Sequence, residues 1–188
     1  MKAYLFSKIQ SRVSLVLGAA LAAMLSPFAS AHYMVAQKGT LNLVDGDIYM
    51  VLSVPVAAFT NDVVVLDTDA NGKVDMIEFN RARQAIKNHV LNNVSLVNNT
   101  QNNADYDKEG FEIMGLQIIP ELSHDEQQIV ITGKYEVKQN SFNTLGFSMS
   151  LFGDSRVEKR FELAVSDKKH NIRNTYVMTP NSSMQVLN

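Results

Sequence analysis

The stretch from 41 to 54, Leu41-Asn-Leu-Val44, Asp45-Gly46, Asp47-Ile-Tyr-Met-Val-Leu-Ser-Val54, decides how the chain is read. Two strand-like runs flank an Asp-Gly pair, which supplies the positive backbone angles of a tight type I′ turn, so the segment predicts a β-hairpin. Working outward, further runs of the same kind follow at 111–119 (FEIMGLQII), 128–137 (QIVITGKYEV), 145–152 (LGFSMSLF) and 157–165 (VEKRFELAV). A closing pair lies around 175–178 (TYVM) and 184–187 (MQVL). In the second of these runs Ile129, Ile131, Gly133, Tyr135 and Val137 fall on one side, the period-two alternation of a strand with one buried face. Pro120, Gly153-Asp154, Asn171 and Pro180-Asn181 punctuate the runs. Strands about ten residues apart with such turns predict a mainly β fold, an antiparallel β-sandwich.

The whole chain has 188 residues, is 46% hydrophobic and 19% charged, carries a formal net charge of −2 and has no cysteine. This composition excludes a disordered tail, a disulfide-stapled mini-protein and a nucleic-acid binder working through bulk positive charge.

Residues 1–31 differ in kind. Lys2, Lys8 and Arg12 precede an apolar run from Val13 to Leu25, and Ala29 and Ala31 stand at the −3 and −1 positions of a cleavage site before His32. That is the pattern of a secretory signal peptide. The apolar run has 13 residues, too few for a membrane-spanning helix, which needs about 20. The expected mature chain, 32–188, has no membrane span and is exported to the periplasm or beyond. It keeps 14 basic and 19 acidic side chains. Without cysteine it must rely on burial, and on a bound ion if one is present, rather than on cross-links.

One segment, about 56–92, interrupts the strands as an insertion. From Asp75 to about Leu91 there is no glycine or proline, and Ile77, Ala82, Ala85, Ile86 and Val90 recur at helical spacing. Asp75 and Glu78 form a capping-box pattern at the start of this single predicted helix. The asparagine-rich stretch after it, 92–110, reads as a surface loop with room for one short strand.

Immediately before the helix stands Asp67-Thr-Asp69-Ala-Asn71-Gly72-Lys73-Val74-Asp75-Met-Ile-Glu78. A calcium ion prefers six to eight oxygen ligands, and this dodecapeptide places them at the required offsets. The side chains of Asp67, Asp69 and Asn71, the carbonyl of Lys73, Asp75 through water, and both oxygens of Glu78 would surround one Ca²⁺. Gly72 permits the sharp turn, and Val74 pins the loop to neighbouring structure. A similar opening at Asp105-Tyr-Asp107-Lys-Glu109-Gly110 fails, because Glu112 and Leu116 stand where an apolar residue and the closing glutamate belong.

The stretch resembles an EF-hand. The likeness covers the loop and outgoing helix well. On the incoming side Phe59, Val63, Val65 and Leu66 occupy the apolar positions, but Asp62, Pro55 and the β-branched Val63-Val-Val65 run predict a short or irregular incoming helix. EF-hands usually pair through their loops, and no second functional loop exists in this sequence. The buttress must come from the sheet domain or from another copy, which favours a structural ion over a sensor with an opening groove. Beyond the loop, the opening stretches AHYMVAQKGTLNLV (31–44) and VLSVPVAAF (51–59) and the closing VMTPNSS (177–183) resemble those of small exported Gram-negative proteins with one EF-hand beside a sheet domain. They also loosely resemble the periplasmic part of HupE/UreJ-type metal transport proteins. That likeness spans most of the mature chain and brings no defined activity; it is the EF-hand resemblance of the loop that implies an exported calcium-binding protein whose ion supports an interaction module.

A second reading uses His32. Exposed by cleavage, its amino group and imidazole could chelate copper, with Met34 nearby as a soft ligand. This resembles the amino-terminal site of copper-resistance proteins and lytic polysaccharide monooxygenases, and implies a periplasmic copper-binding or oxidative protein. The other histidines, His89, His124 and His170, are isolated and read as surface residues. Methionines such as Met50, Met114 and Met149 alternate within strand patterns and read as core. No nucleophile elbow, phosphate-binding glycine loop or paired catalytic carboxylates point to an enzyme.

Overall fold

In the computed structural model, residues 37–60, 65–98, 107–119, 127–136, 145–154 and 159–187 are described. They belong to a compact unit, Met34–Asn188. The predicted leader, His32, Met34 and His124 lie outside the described residues.

The 41–54 hairpin forms as its sequence requires. Strand β1 (Lys38–Val44) turns at Asp45 and Gly46, both at positive φ, into β2 (Asp47–Pro55), and the two pair antiparallel with Leu41 opposite Met50. A short 3-10 helix, Val56–Phe59, follows, and then the single α-helix of the described residues, α1 (Met76–Asn93). The remaining strands are β3 (Val94–Asn98), β4 (Asp107–Gly110), β5 (Glu112–Ile119), β6 (Gln128–Glu136), β7 (Leu145–Met149), β8 (Phe161–Asp167), β9 (Ile172–Met178) and β10 (Met184–Val186). They build two sheets, one of order β5-β6-β2-β1-β8-β9 and one of order β10-β7-β3-β4. The fold is therefore mainly β. Leu41, Met50, Ile131 and Leu163 of the first sheet share one core with Leu96, Phe147 and Met149 of the second.

Three departures from the sequence reading have physical causes. The first sheet is mixed rather than antiparallel, because β1 and β8 run parallel, Leu41 opposite Val165. The hairpin uses one edge of β1, and the other is filled by β8, which arrives after a long excursion that ends in β7 of the second sheet; parallel neighbours require such a long crossover rather than a tight turn. Second, the polar stretch 92–110 contributes two strands. Val94, Leu96 and Val97 are buried, and β3 runs between β7 and β4 as an inner strand. Third, Met114 is not core but 61% exposed. A bulge between Ile113 and Gly115 leaves it without a partner on β6. Met50 and Met149 are buried, as read.

The helix keeps its expected start at Asp75 and runs to Asn93. Its buried face is Phe79, Ala82, Ile86 and Val90, together with Glu78, whereas Ile77 is 62% exposed and Ala85 is exposed. Apolar spacing alone had admitted Ile77. The capping box settles the rotation, because it fixes Glu78 inward and leaves Ile77 on the first turn's outer side. At the far end the Asn93 side chain donates to the His89 carbonyl, and Ser150 donates to both the carbonyl and the side-chain oxygen of Asn93. The helix is thereby tied to the end of β7.

His89 is half-buried rather than a surface residue. Its ring lies 5.7 Å from that of Phe59, and burial, opposed by a backbone bond to Ala58, lowers its pKa. His170 sits in the β8–β9 turn and bonds the buried Asp167 carboxylate, which also accepts the Lys169 and His170 backbone N–H groups at 2.9 and 3.3 Å. Burial raises the Asp167 pKa, but these bonds outweigh it and the net shift is downward. A carboxylate with a depressed native pKa stabilises the fold above its ordinary range, and that contribution is lost as pH falls through the native value. Asp167→Asn should melt below wild type at pH 7, and the gap should close as the pH is lowered through the carboxylate range. A gap constant with pH in chelator-treated protein would contradict this assignment.

Candidate metal centre

The dodecapeptide 67–78 is folded by its own side chains. The Asp67 carboxylate accepts the N–H of Asn71 at 3.1 Å on one oxygen and that of Gly72 at 2.8 Å on the other. Asp69 accepts the Asn71 N–H at 3.1 Å and the Asn71 side-chain amide at 2.8 Å. The Asn71 side-chain oxygen accepts the Lys73 N–H at 2.8 Å. Gly72, at φ 82°, occupies the left-handed region where a side chain would be strained. These bonds curl the Asn71 and Gly72 N–H groups toward the acids at the start of the loop and the Lys73 N–H toward the Asn71 side chain. Leu66 before the loop and Val74 within it are buried and anchor it to the core.

The loop closes on the helix N-terminus. One Asp75 oxygen accepts the N–H groups of Ile77 and Glu78, both at 2.8 Å, and the Asp75 N–H returns to Glu78 Oε2 at 3.0 Å. This is the expected capping box. Glu78 Oε1 accepts the Thr68 N–H at 2.6 Å, the Thr68 hydroxyl at 2.7 Å and the Asp69 N–H at 3.3 Å. The Thr68 hydroxyl, the Asp75 N–H and the Thr68 N–H hold the Glu78 pKa down to about 2, with burial opposing them. Glu78 is buried and fixed as an anion at the entrance of α1.

Carboxylate oxygens of Asp67, Asp69 and Glu78 lie within 4.8 Å of one another. Residues eleven apart in sequence meet here because the Glu78 bonds to Thr68 and Asp69 fold the end of the loop onto its beginning. An acidic group that could hold a metal ion is therefore present. The donor set, carboxylate oxygen without nitrogen or sulfur, fits a hard cation. Asp75 stands outside this trio and caps the helix; Asn71 bonds Asp69; the Lys73 side chain is exposed.

On the incoming side the 3-10 helix takes the place of a longer helix. Phe59 and Leu66 are buried as read, but Val65 is 76% exposed. Asp62 and Val63 lie outside the described residues. The sequence reading missed two residues here, Thr68 and Gln127. Thr68 is the loop's second residue, and its hydroxyl was the only signal. Gln127 lies outside the dodecapeptide, immediately before β6, and carried none. Its side-chain oxygen accepts the Val74 N–H at 2.6 Å, and its side-chain N–H donates to the Val74 carbonyl at 2.8 Å.

Among the described residues no helix is long and apolar enough to cross a membrane. No model of a known protein family matches the chain, and a search of curated proteins finds no match.

Proposed function

We infer that this is an exported calcium-binding protein whose single EF-hand-like loop holds one Ca²⁺ in a mainly structural role. The observation that carries the reading is the convergence of Asp67, Asp69 and Glu78 within a dodecapeptide that has an oxygen donor or the required glycine at every diagnostic position. In this reading Asp67, Asp69 and Asn71 give side-chain oxygens, Lys73 its carbonyl, Asp75 a water-mediated contact and Glu78 both carboxylate oxygens. The ion offsets repulsion among clustered acids and holds the joint between the 3-10 helix, the loop and α1. The leader places the protein in the periplasm or outside the cell, where the joint supports an interaction surface of the sheet domain.

The test is thermal melting with and without the ion. A ligand at 100 times its dissociation constant stabilises the native state by about 2.7 kcal/mol. For a chain of this size that is a rise in melting temperature of about 5–11 °C. Calcium should produce this rise over chelator-treated protein, and magnesium, which demands tighter octahedral geometry and keeps its waters, should produce less. Equal melting with calcium and with chelator would refute the reading.

A further inference from the structure

A lone loop of this kind lacks the partner against which such loops usually brace, yet the backbone of its eighth residue is not open. The Gln127 carboxamide bonds both polar groups of Val74, accepting from its N–H and donating to its carbonyl. An amide group presents the same donor and acceptor as a peptide unit, so the pair of bonds reproduces what a neighbouring strand would offer. The Gln127 backbone carbonyl meanwhile accepts the Val56 N–H at 2.9 Å, at the start of the 3-10 helix. The next residue, Gln128, is buried in β6 and accepts the Ser53 hydroxyl of β2 at 2.6 Å. Gln127 thus links the loop to the 3-10 helix at the point where the chain enters β6 of the larger sheet, and Gln128 continues the link to β2.

We propose that Gln127 is a positioning residue that stands in for the missing second loop, so that a single chain forms a complete calcium site without dimerising. The proposal rests on the calcium reading above. It adds that the site's affinity depends on a side chain far from the ligands in sequence. Val74 lies between Lys73, whose carbonyl is a proposed ligand, and Asp75, whose side chain caps the helix carrying Glu78. Fixing both polar groups of Val74 therefore fixes the peptide units on either side of it. A lone loop without this brace would pay for ordering that segment each time it bound an ion.

The test compares wild type with Gln127→Met, which keeps the chain length and removes both bonds, and with Gln127→Glu, which keeps an acceptor for the Val74 N–H but has no N–H for its carbonyl. Three readouts are needed: calcium affinity by calorimetry, amide exchange at Val74 without calcium, and mass in solution with and without calcium. Removal of a residue that orients a metal ligand typically costs 10–100-fold in affinity. Gln127→Met should lose about that much and release the Val74 amide to exchange, Gln127→Glu should keep Val74 protected, and wild type should stay monomeric in calcium. If Gln127→Met does not fold, Gln127→Glu alone carries the affinity test, with weakened binding expected. Unchanged affinity in the variants, or a calcium-dependent wild-type dimer, would overturn the proposal while leaving calcium binding intact. Wild type that takes up no calcium would overturn the reading beneath it.

Discussion

Glu78→Gln should weaken calcium binding on the order of a hundredfold or more, the largest loss expected from any single conservative change in the loop. The substitution keeps size and shape but removes a full negative charge and one of two carboxylate oxygens. It also disturbs the apo loop. Glu78 accepts four hydrogen bonds, from the Thr68 N–H and hydroxyl and the Asp69 and Asp75 N–H groups. A carboxamide has one acceptor oxygen and an NH₂ that must face donors at the other position. Either orientation leaves donors unsatisfied, so the capping box or the loop closure must open. Calorimetric titration of the variant should show little or no calcium heat at concentrations that saturate wild type. A wild-type isotherm would mean that Glu78 serves the loop only as a hydrogen-bond acceptor.

The second large effect belongs to the core beneath the site. Phe79→Ala removes a fully buried ring from the inner face of α1. Truncation of a buried phenylalanine costs about 3–5 kcal/mol, through lost burial and the cavity left behind. In a chain of this size that is a fall in melting temperature of about 6–20 °C. The Arg83 guanidinium, 5.3 Å from the Phe79 ring centroid, loses its aromatic partner while keeping its bond to the Leu116 carbonyl of β5 at 3.2 Å. Calcium should still raise the melting temperature of this variant, since every proposed ligand remains. The two substitutions, adjacent in sequence, thus separate ion binding from packing: Glu78→Gln should abolish the calcium-dependent rise, and Phe79→Ala should lower the baseline beneath it.

What the sequence made legible was set by local chemistry. Asp45-Gly46 carries its turn conformation in its residue types, and both residues take positive φ in the structure. Asp75 and Glu78 announce a helix start three residues apart, and the capping box forms there. The dodecapeptide is local as well, since its acids and glycine lie within one turn of chain. The rest depends on partners distant in sequence. No pattern in 38–44 could say that its second neighbour would be 161–167 in parallel. Nor could the asparagine-rich stretch reveal that Val94, Leu96 and Val97 would fill an inner strand of the smaller sheet. Met114 looked like core because alternation was counted through a bulge. Ile77 looked like core because helical spacing leaves the rotation of the first turn open until the cap is known. Gln127 was invisible for the plainest reason: its partner is 53 residues away, and a glutamine before a strand signals nothing by itself.

The central claim is that oxygen donors of one loop converge on a single calcium ion, and calorimetric titration of the purified, chelator-treated protein with calcium chloride tests it most directly. The account requires one ion per chain, with binding lost in Glu78→Gln. A titration without saturable heat, in protein whose melting temperature also ignores calcium, would contradict it.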